Sequence, residues 1–167
     1  MSSLYFTKEI PFHDVYIYAT ILAKDGSRMS KSKGNGVDPM DLIAKYGADA
    51  MRYNLLTLIT NNQDVKFDAV LDKKTRELIE SPRTDQARSF VTKIWNASRF
   101  VQMNLDGYTA GMPKAETPED AWMFSRLAKV VAETTDQLET YGFGEYARNI
   151  QSFFWNDVCD WYIELCK

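Results

Sequence analysis

Residues 15–23 read VYIYATILA, and residues 24–39 read KDGSRMSKSKGNGVDP. The first stretch is β-branched, aromatic and almost wholly apolar, which is the pattern of a strand buried on both faces. Lys24-Asp25-Gly26-Ser27 is turn chemistry, and Arg28 to Gly36 has no period that would bury a face, so a loop is expected there. Asp38 then supplies a helix cap with Pro39 at the first helical position. The spacing predicts a helix over 39–46 that closes at Gly47, where a positive φ is tolerated. A second helix is expected from about Asp49, with Ala50, Met51, Leu55 and Leu58 on one stripe.

The loop between strand and helix carries the chemistry. Arg28-Met29-Ser30-Lys31-Ser32-Lys33-Gly34-Asn35 packs three cations and two hydroxyls around a glycine. Lys and Arg supply charge, hydroxyls and loop amides supply donors, and glycine lets backbone approach an anion, so the composition suits phosphate. The order GxxxxGK[ST] of a P-loop is absent. Read without its neighbours, the same stretch would be a solvated basic loop.

Outward from this point the chain is polar and charged over 61–83, ending in Ser81-Pro82, and a boundary between two domains is expected in that stretch. Three helices should follow. Ala87, Phe90, Val91, Ile94, Ser98, Val101 and Leu105 recur at helical spacing in the first. Thr117-Pro118-Glu119-Asp120 starts the second, with Phe124, Leu127, Ala128, Val131, Thr135 and Leu138 expected inward. The third runs from about Glu145 with Ala147, Ile150, Phe154, Val158, Trp161 and Leu165 inward. It stops at Lys167 without a cap, which reads as the cut end of a longer polypeptide. Phe153, Trp155 and Tyr162 lie off that stripe and are expected to pack against other helices or against a part of the protein lying elsewhere.

Composition bounds the rest. The chain has 167 residues, 45% of them hydrophobic, and a net charge of −3, which fits a globular protein. No run of eighteen apolar residues and no signal pattern occurs, so a cytoplasmic protein with no membrane partner is expected. Cys159 and Cys166 are two helical turns apart, about 10 Å by rise, which forbids a disulfide between them. No metal site is expected from two cysteines and a single histidine, His13, which reads as structural. Residues 66–99 carry eight Lys or Arg against five Asp or Glu, whereas 100–167 carry five against eleven.

Residues 28–32 resemble the KMSKS signature of class I aminoacyl-tRNA synthetases, with Arg28 in the place of the first lysine and Lys31 in that of the second. Ser32-Lys33-Gly34-Asn35, Asp38-Pro39 and Tyr46-Gly47-Ala48-Asp49-Ala50-Met51-Arg52 continue the family's pattern, and residues 11–17, PFHDVYI, resemble the strand leading into it. Three stretches look like the valine-specific members: 61–67 (NNQDVKF), 94–100 (IWNASRF) and 154–162 (FWNDVCDWY). Isoleucine- and leucine-specific members are the alternatives. The family also departs from this chain at Tyr18-Ala19, where relatives often carry His-Gly or Thr-Gly near the nucleotide.

The resemblance implies a mainly α chain: the C-terminal remnant of a Rossmann-type α/β catalytic domain (one strand, the loop, short helices) over 1–75, then the first helices of an α-helical anticodon-binding bundle over 76–167. It implies valine, ATP with its Mg2+ and tRNA(Val) as substrates, with no cofactor held by side chains of this stretch. Lys31 and Arg28 are the catalytic candidates, and Arg28, Met29, Ser30, Lys31 and Ser32 the ATP-binding ones. The phosphate-binding HIGH motif is absent from the sequence, so the N-terminal catalytic half and the editing domain are expected elsewhere in the same polypeptide, and the isolated stretch is expected to be inactive or a noncatalytic tRNA-binding module. On the first long helix Arg88, Thr92, Trp95 and Arg99 fall at i, i+4, i+7 and i+11, a stripe able to meet phosphates and a base. The other reading of that stripe places Trp95 in the core and pairs both arginines with acidic helices.

Overall fold

The computed structural model describes residues 1–30, 32–60, 63–109 and 111–167. It is mainly α-helical. After a single turn at Ser2–Phe6 (α1), the chain runs extended to a two-residue strand, Ile21–Leu22 (β1), which pairs in parallel with Val65–Lys66 (β2). The nine-residue strand expected over 15–23 is therefore reduced to its end. Val15, Ile17 and Tyr18 are exposed, because burial on both faces needs neighbouring strands and, among the described residues, only β2 lies alongside.

Helices α2 (Pro39–Tyr46) and α3 (Ala48–Leu58) form where the caps place them. The Asp38 carboxylate accepts from the Met40 N–H at 2.8 Å, and Gly47 takes φ +92° to divide the two helices. Beyond them the polar stretch in which a domain boundary is expected carries strands among its described residues. β2 is followed by an antiparallel hairpin of Val70–Leu71 (β3) and Leu78–Glu80 (β4), and Phe67 and Ala69 are buried. Buried Phe67 and Ala69 alternate with exposed Lys66 and half-buried Asp68 along the extended segment that joins β2 to β3.

One apolar cluster joins these pieces: Leu42, Tyr46, Ala50, Leu58, Phe67, Ala69 and Ala87, with Met29, Val37 and Leu78 packed against it. The long helix α4 (Pro82–Met103) begins ahead of Ala87, the first residue of its apolar stripe, and Asp68 serves its first turn. Asp68 accepts from the Arg83 N–H at 2.7 Å and from the Ser81 hydroxyl at 2.8 Å. Ser81, Thr84 and Asn54 are buried and satisfy one another: Asn54 Nδ2 donates to Thr84 Oγ1 at 2.8 Å, and the Ser81 and Thr84 hydroxyls lie 2.7 Å apart. Buried polar groups matched in this way specify one packing rather than weakening the core.

Two further helices, α5 (Pro118–Glu139) and α6 (Phe143–Ser152), pack on each other, and α6 also packs on α3. Thr117 and Asp120 form a capping box at the start of α5. Its buried face is not the expected one. Met123, Val130 and Thr134 are inside, while Phe124, Leu127, Leu138 and Val131, the last 53% accessible, are exposed. Both stripes have helical period, and only the position of α6 selects between them. In α4 the expected stripe holds at Ala87 and Phe90 but opens to solvent at Ile94, Ser98, Val101 and Leu105, beyond the reach of the core.

After α6 the helix widens into a ten-residue π-helix, Phe153–Tyr162, and ends in α7 (Ile163–Leu165). Bonding from i to i+5 changes the face presented. Five residues on from Phe154 is Cys159, which is buried; seven on is Trp161, which is 62% exposed together with Leu165. Two ion pairs hold this segment: Arg126 Nη2 to Asp157 at 2.6 Å and Lys93 to Asp160 at 3.3 Å. The junction of α3 with α6 is tighter still. A Cβ at Gly144 would overlap the Ile59 carbonyl oxygen, the Tyr53 hydroxyl donates to the Ala147 carbonyl at 3.1 Å, and Arg148 Nη1 donates to the Thr57 carbonyl at 3.0 Å.

Candidate nucleotide loop and nucleic-acid face

β1 leads into a turn that doubles back on itself. The Ala23 N–H donates to the Ser27 carbonyl at 2.9 Å, the Gly26 N–H returns to the Ala23 carbonyl at 2.8 Å, and Gly26 takes φ +83°. The Asp25 carboxylate accepts from the Ser27 N–H at 2.9 Å, and this bond, helped by the Ser27 hydroxyl and the charge of Lys33, holds its pKa below the usual carboxylate value. An isolated antiparallel bridge then sets Arg28 beside Leu22.

Asn35 closes the loop from inside. Its Oδ1 accepts from the Ser30 N–H at 2.9 Å, while its Nδ2 donates to Ser27 Oγ at 2.9 Å and to the Arg28 carbonyl at 3.3 Å. Ser30 Oγ lies 3.3 Å from Ser32 Oγ and accepts from the Lys33 N–H at 3.3 Å. Met29 turns inward onto the apolar cluster, whereas Arg28, Ser32 and Lys33 face solvent. Lys31 lies outside the described residues. The result is an anchored loop whose described cations and hydroxyls stand on the outside, able to receive an anion. Among the described residues no group of three His, Cys, Asp or Glu could hold a metal ion.

The loop has an outside support that the sequence did not reveal. Arg76, at the turn between β3 and β4, donates from Nη1 to the Gly34 carbonyl at 3.0 Å, and Lys66 of β2 lies against Gly26. The only local sign of the turn was Asp72-Lys73-Lys74-Thr75, and nothing in it indicates a partner 42 residues away.

On α4 the stripe Arg88, Thr92, Trp95 and Arg99 is exposed along its length, with Trp95 72% accessible. Trp95 lies outside the core that these residues form. The acidic residues of the π-helix are paired instead with Lys93 and Arg126, and neither Arg88 nor Arg99 has an ion-pair partner among the described residues. The off-stripe aromatics of the last helix are packing groups. Trp155 stacks on Phe90 with ring centres 6.2 Å apart and lies under the Lys93 ammonium. Tyr162 donates to Asp120 Oδ1 at 2.7 Å, which pushes its pKa up to about 12 and that of Asp120 down. Cys159 is buried and Cys166 exposed, both free; His13 is exposed. No helix among the described residues is long and apolar enough to cross a membrane.

Two family models match the two ends of the chain. The family described as tRNA synthetases class I (I, L, M and V) matches residues 1–68, and the anticodon-binding domain of tRNA ligase matches residues 120–167. A valine--tRNA ligase of Synechocystis is 44% identical over the whole chain, and one of Lactobacillus acidophilus is 46% identical over 99% of it. The chain spans 18% of the length of each. Among solved structures, the LeuRS of Agrobacterium radiobacter in its ternary complex with tRNA and LeuAMS superposes on 88% of this chain and 18% of its own, with TM-score 0.72 and 22% identity, a likeness of fold. A mainly helical chain that matches the class I synthetase model at one end and the anticodon-binding domain model at the other, and that resembles valine--tRNA ligases over its whole length, belongs to the class I aminoacyl-tRNA synthetases.

Proposed function

We propose that the complete protein activates valine with ATP and transfers it to tRNA(Val). The observation that carries this is the 44% identity to a valine--tRNA ligase over the whole length of the chain. In the proposed reaction a carboxylate oxygen of valine attacks the α-phosphorus of ATP, the bond to the bridging oxygen breaks, and pyrophosphate leaves with the electron pair. A terminal ribose hydroxyl of the tRNA then attacks the valyl carbonyl carbon, gives up its proton, and AMP leaves with the electrons of the broken acyl–phosphate bond. Residues 1–75 would be the end of the catalytic domain and 76–167 the start of the anticodon-binding domain, working in the cytoplasm.

Within the loop, Lys31 and Arg28 are assigned to the departing phosphates, whose charge grows in the transition state. Ser30 and Ser32 supply hydroxyl donors, and Met29 holds the loop to the core. Mg2+ enters with the triphosphate. Arg28 keeps the charge of the motif's first lysine and offers phosphate a planar fork in place of a point charge. Valine-dependent exchange of pyrophosphate into ATP tests the assignment. The complete protein is expected to exchange with valine in strong preference to isoleucine or leucine, and the 167-residue chain alone to show no exchange. Preference for leucine or isoleucine would overturn the specificity, and robust exchange by the chain alone would overturn the need for the rest of the polypeptide.

The exposed stripe of α4 is assigned to tRNA. Arg88 and Arg99 stand roughly 16 Å apart along the helix axis, enough to meet separate phosphates, with Trp95 between them as a stacking surface. Titration of tRNA(Val) by gel shift should lose affinity in Arg88→Ala/Arg99→Ala, and the slope of log K against log salt should flatten by about 1.5 to 2 if two phosphate contacts are lost. An unchanged slope would remove the stripe from the interface.

A further inference from the structure

The β3–β4 hairpin lies outside the motif, yet its turn touches the loop that carries it. Arg76 Nη1 donates to the Gly34 carbonyl at 3.0 Å, and a Cβ placed on Gly34 would come within 3.2 Å of both Cζ and Nε of the same guanidinium. The arginine head therefore lies close against a glycine that takes φ +61°. A side chain at Gly34 would push it away.

The turn that presents Arg76 is firmly made. Asp72 Oδ1 accepts from the N–H groups of Lys74 at 2.7 Å and Thr75 at 2.9 Å, the Arg76 N–H donates to the Asp72 carbonyl at 3.1 Å, and the Asp72 N–H donates to the Glu77 carbonyl at 2.8 Å. The Asp72 carboxyl is held below its usual pKa by those bonds, the one from Thr75 first. Arg76 itself takes φ +66°, a left-handed conformation that glycine or asparagine adopts with less strain. A strained arginine at a rigid turn, with its head on a loop 42 residues away, is a clamp geometry.

The contact passes straight into the loop. Gly34 precedes Asn35, whose amide ties Ser27, Arg28 and Ser30 together. Fixing the Gly34 carbonyl fixes the plane of the peptide that enters Asn35, and with it the loop's closed form. On the entry side, the Lys66 side chain approaches the Cβ position of Gly26 to 3.1 Å, so the segment 65–80 flanks both ends of the loop. We propose that Arg76 is a positioning residue for the phosphate loop: it holds the Gly34 end so that the loop's cations are already in place when the triphosphate of ATP arrives. This rests on the ATP-handling reading of the loop.

Arg76→Gly and Arg76→Lys in the complete protein test it. Glycine relieves the left-handed backbone and removes the clamp, so the melting temperature should hold or rise while amide hydrogen exchange in a peptide covering 28–36 speeds up by tenfold or more. In pyrophosphate exchange KM for ATP should rise at least fivefold with KM for valine unchanged, and Arg76→Lys, which can still donate to the carbonyl, should recover part of both effects. Unaltered loop exchange in Arg76→Gly would overturn the clamp. Faster loop exchange with unaltered ATP kinetics would overturn its role toward phosphate. Failure of the underlying reading has a separate sign, namely normal ATP kinetics in Lys31→Ala as well.

Discussion

Lys31→Ala in the complete protein is expected to lower kcat for valine-dependent pyrophosphate exchange by roughly 10²–10³-fold, about 2.7–4 kcal/mol, the scale on which one preorganised donor to developing charge is felt. KM for valine should stay within about threefold of its starting value, because the lost contact forms in the transition state rather than with the amino acid. The comparison with Lys33→Ala is informative. Lys33 lends its charge to Asp25 and is not among the residues assigned to ATP, so its removal should cost much less. Steady-state exchange at varied valine and varied ATP separates the two. A mutant that binds valine weakly but turns over at the normal rate would take Lys31 off the departing phosphates.

The largest effect on stability is expected at Phe90. Its ring is 2% accessible and stands between Tyr53, 5.0 Å away on α3, and Phe154 and Trp155, 6.1 and 6.2 Å away on the π-helix. Phe90→Ala removes the shared partner of all three rings and leaves a cavity where α3, α4 and the π-helix meet. A loss of about 3–5 kcal/mol follows for a buried phenylalanine of this kind, a large part of the stability of an ordinary domain. Urea unfolding followed by circular dichroism measures it from the midpoint at constant m. Phe90→Leu should cost distinctly less, and a loss under about 1 kcal/mol for the alanine variant would mean that the ring is not a core residue.

What could be read from the sequence was local. The cap of Asp38 on Met40 and the box of Thr117 with Asp120 lie within three residues of the groups they satisfy, so both helix starts were legible. The loop was legible as phosphate chemistry because its cations and hydroxyls are contiguous. Three things needed the third dimension. VYIYATILA states that its residues suit a sheet, but how many of them pair depends on a partner more than forty residues on. Helix α5 carries two apolar stripes of the same period, and its neighbours decide which is buried. In the last helix, the change from i+4 to i+5 bonding exchanges Cys159 for Trp161 on the buried face, and no single residue there announces it. The same limit hid Arg76, whose importance to the loop lies wholly in a long-range bond.

At Gly144 no side chain separates α6 from the end of α3; backbone meets backbone, and the hydrogen bonds of Tyr53 and Arg148 stand on either side. Side chains are the compliant layer between most helices, able to change rotamer and take up small displacements, and here that layer is missing. A tilt given to α6 must therefore be passed to α3 undamped. From α3 to the loop the connection is of the other kind, an apolar cluster of side chains shared with α2 and Met29, so a shift that reaches α3 undamped is taken up there before it reaches the loop.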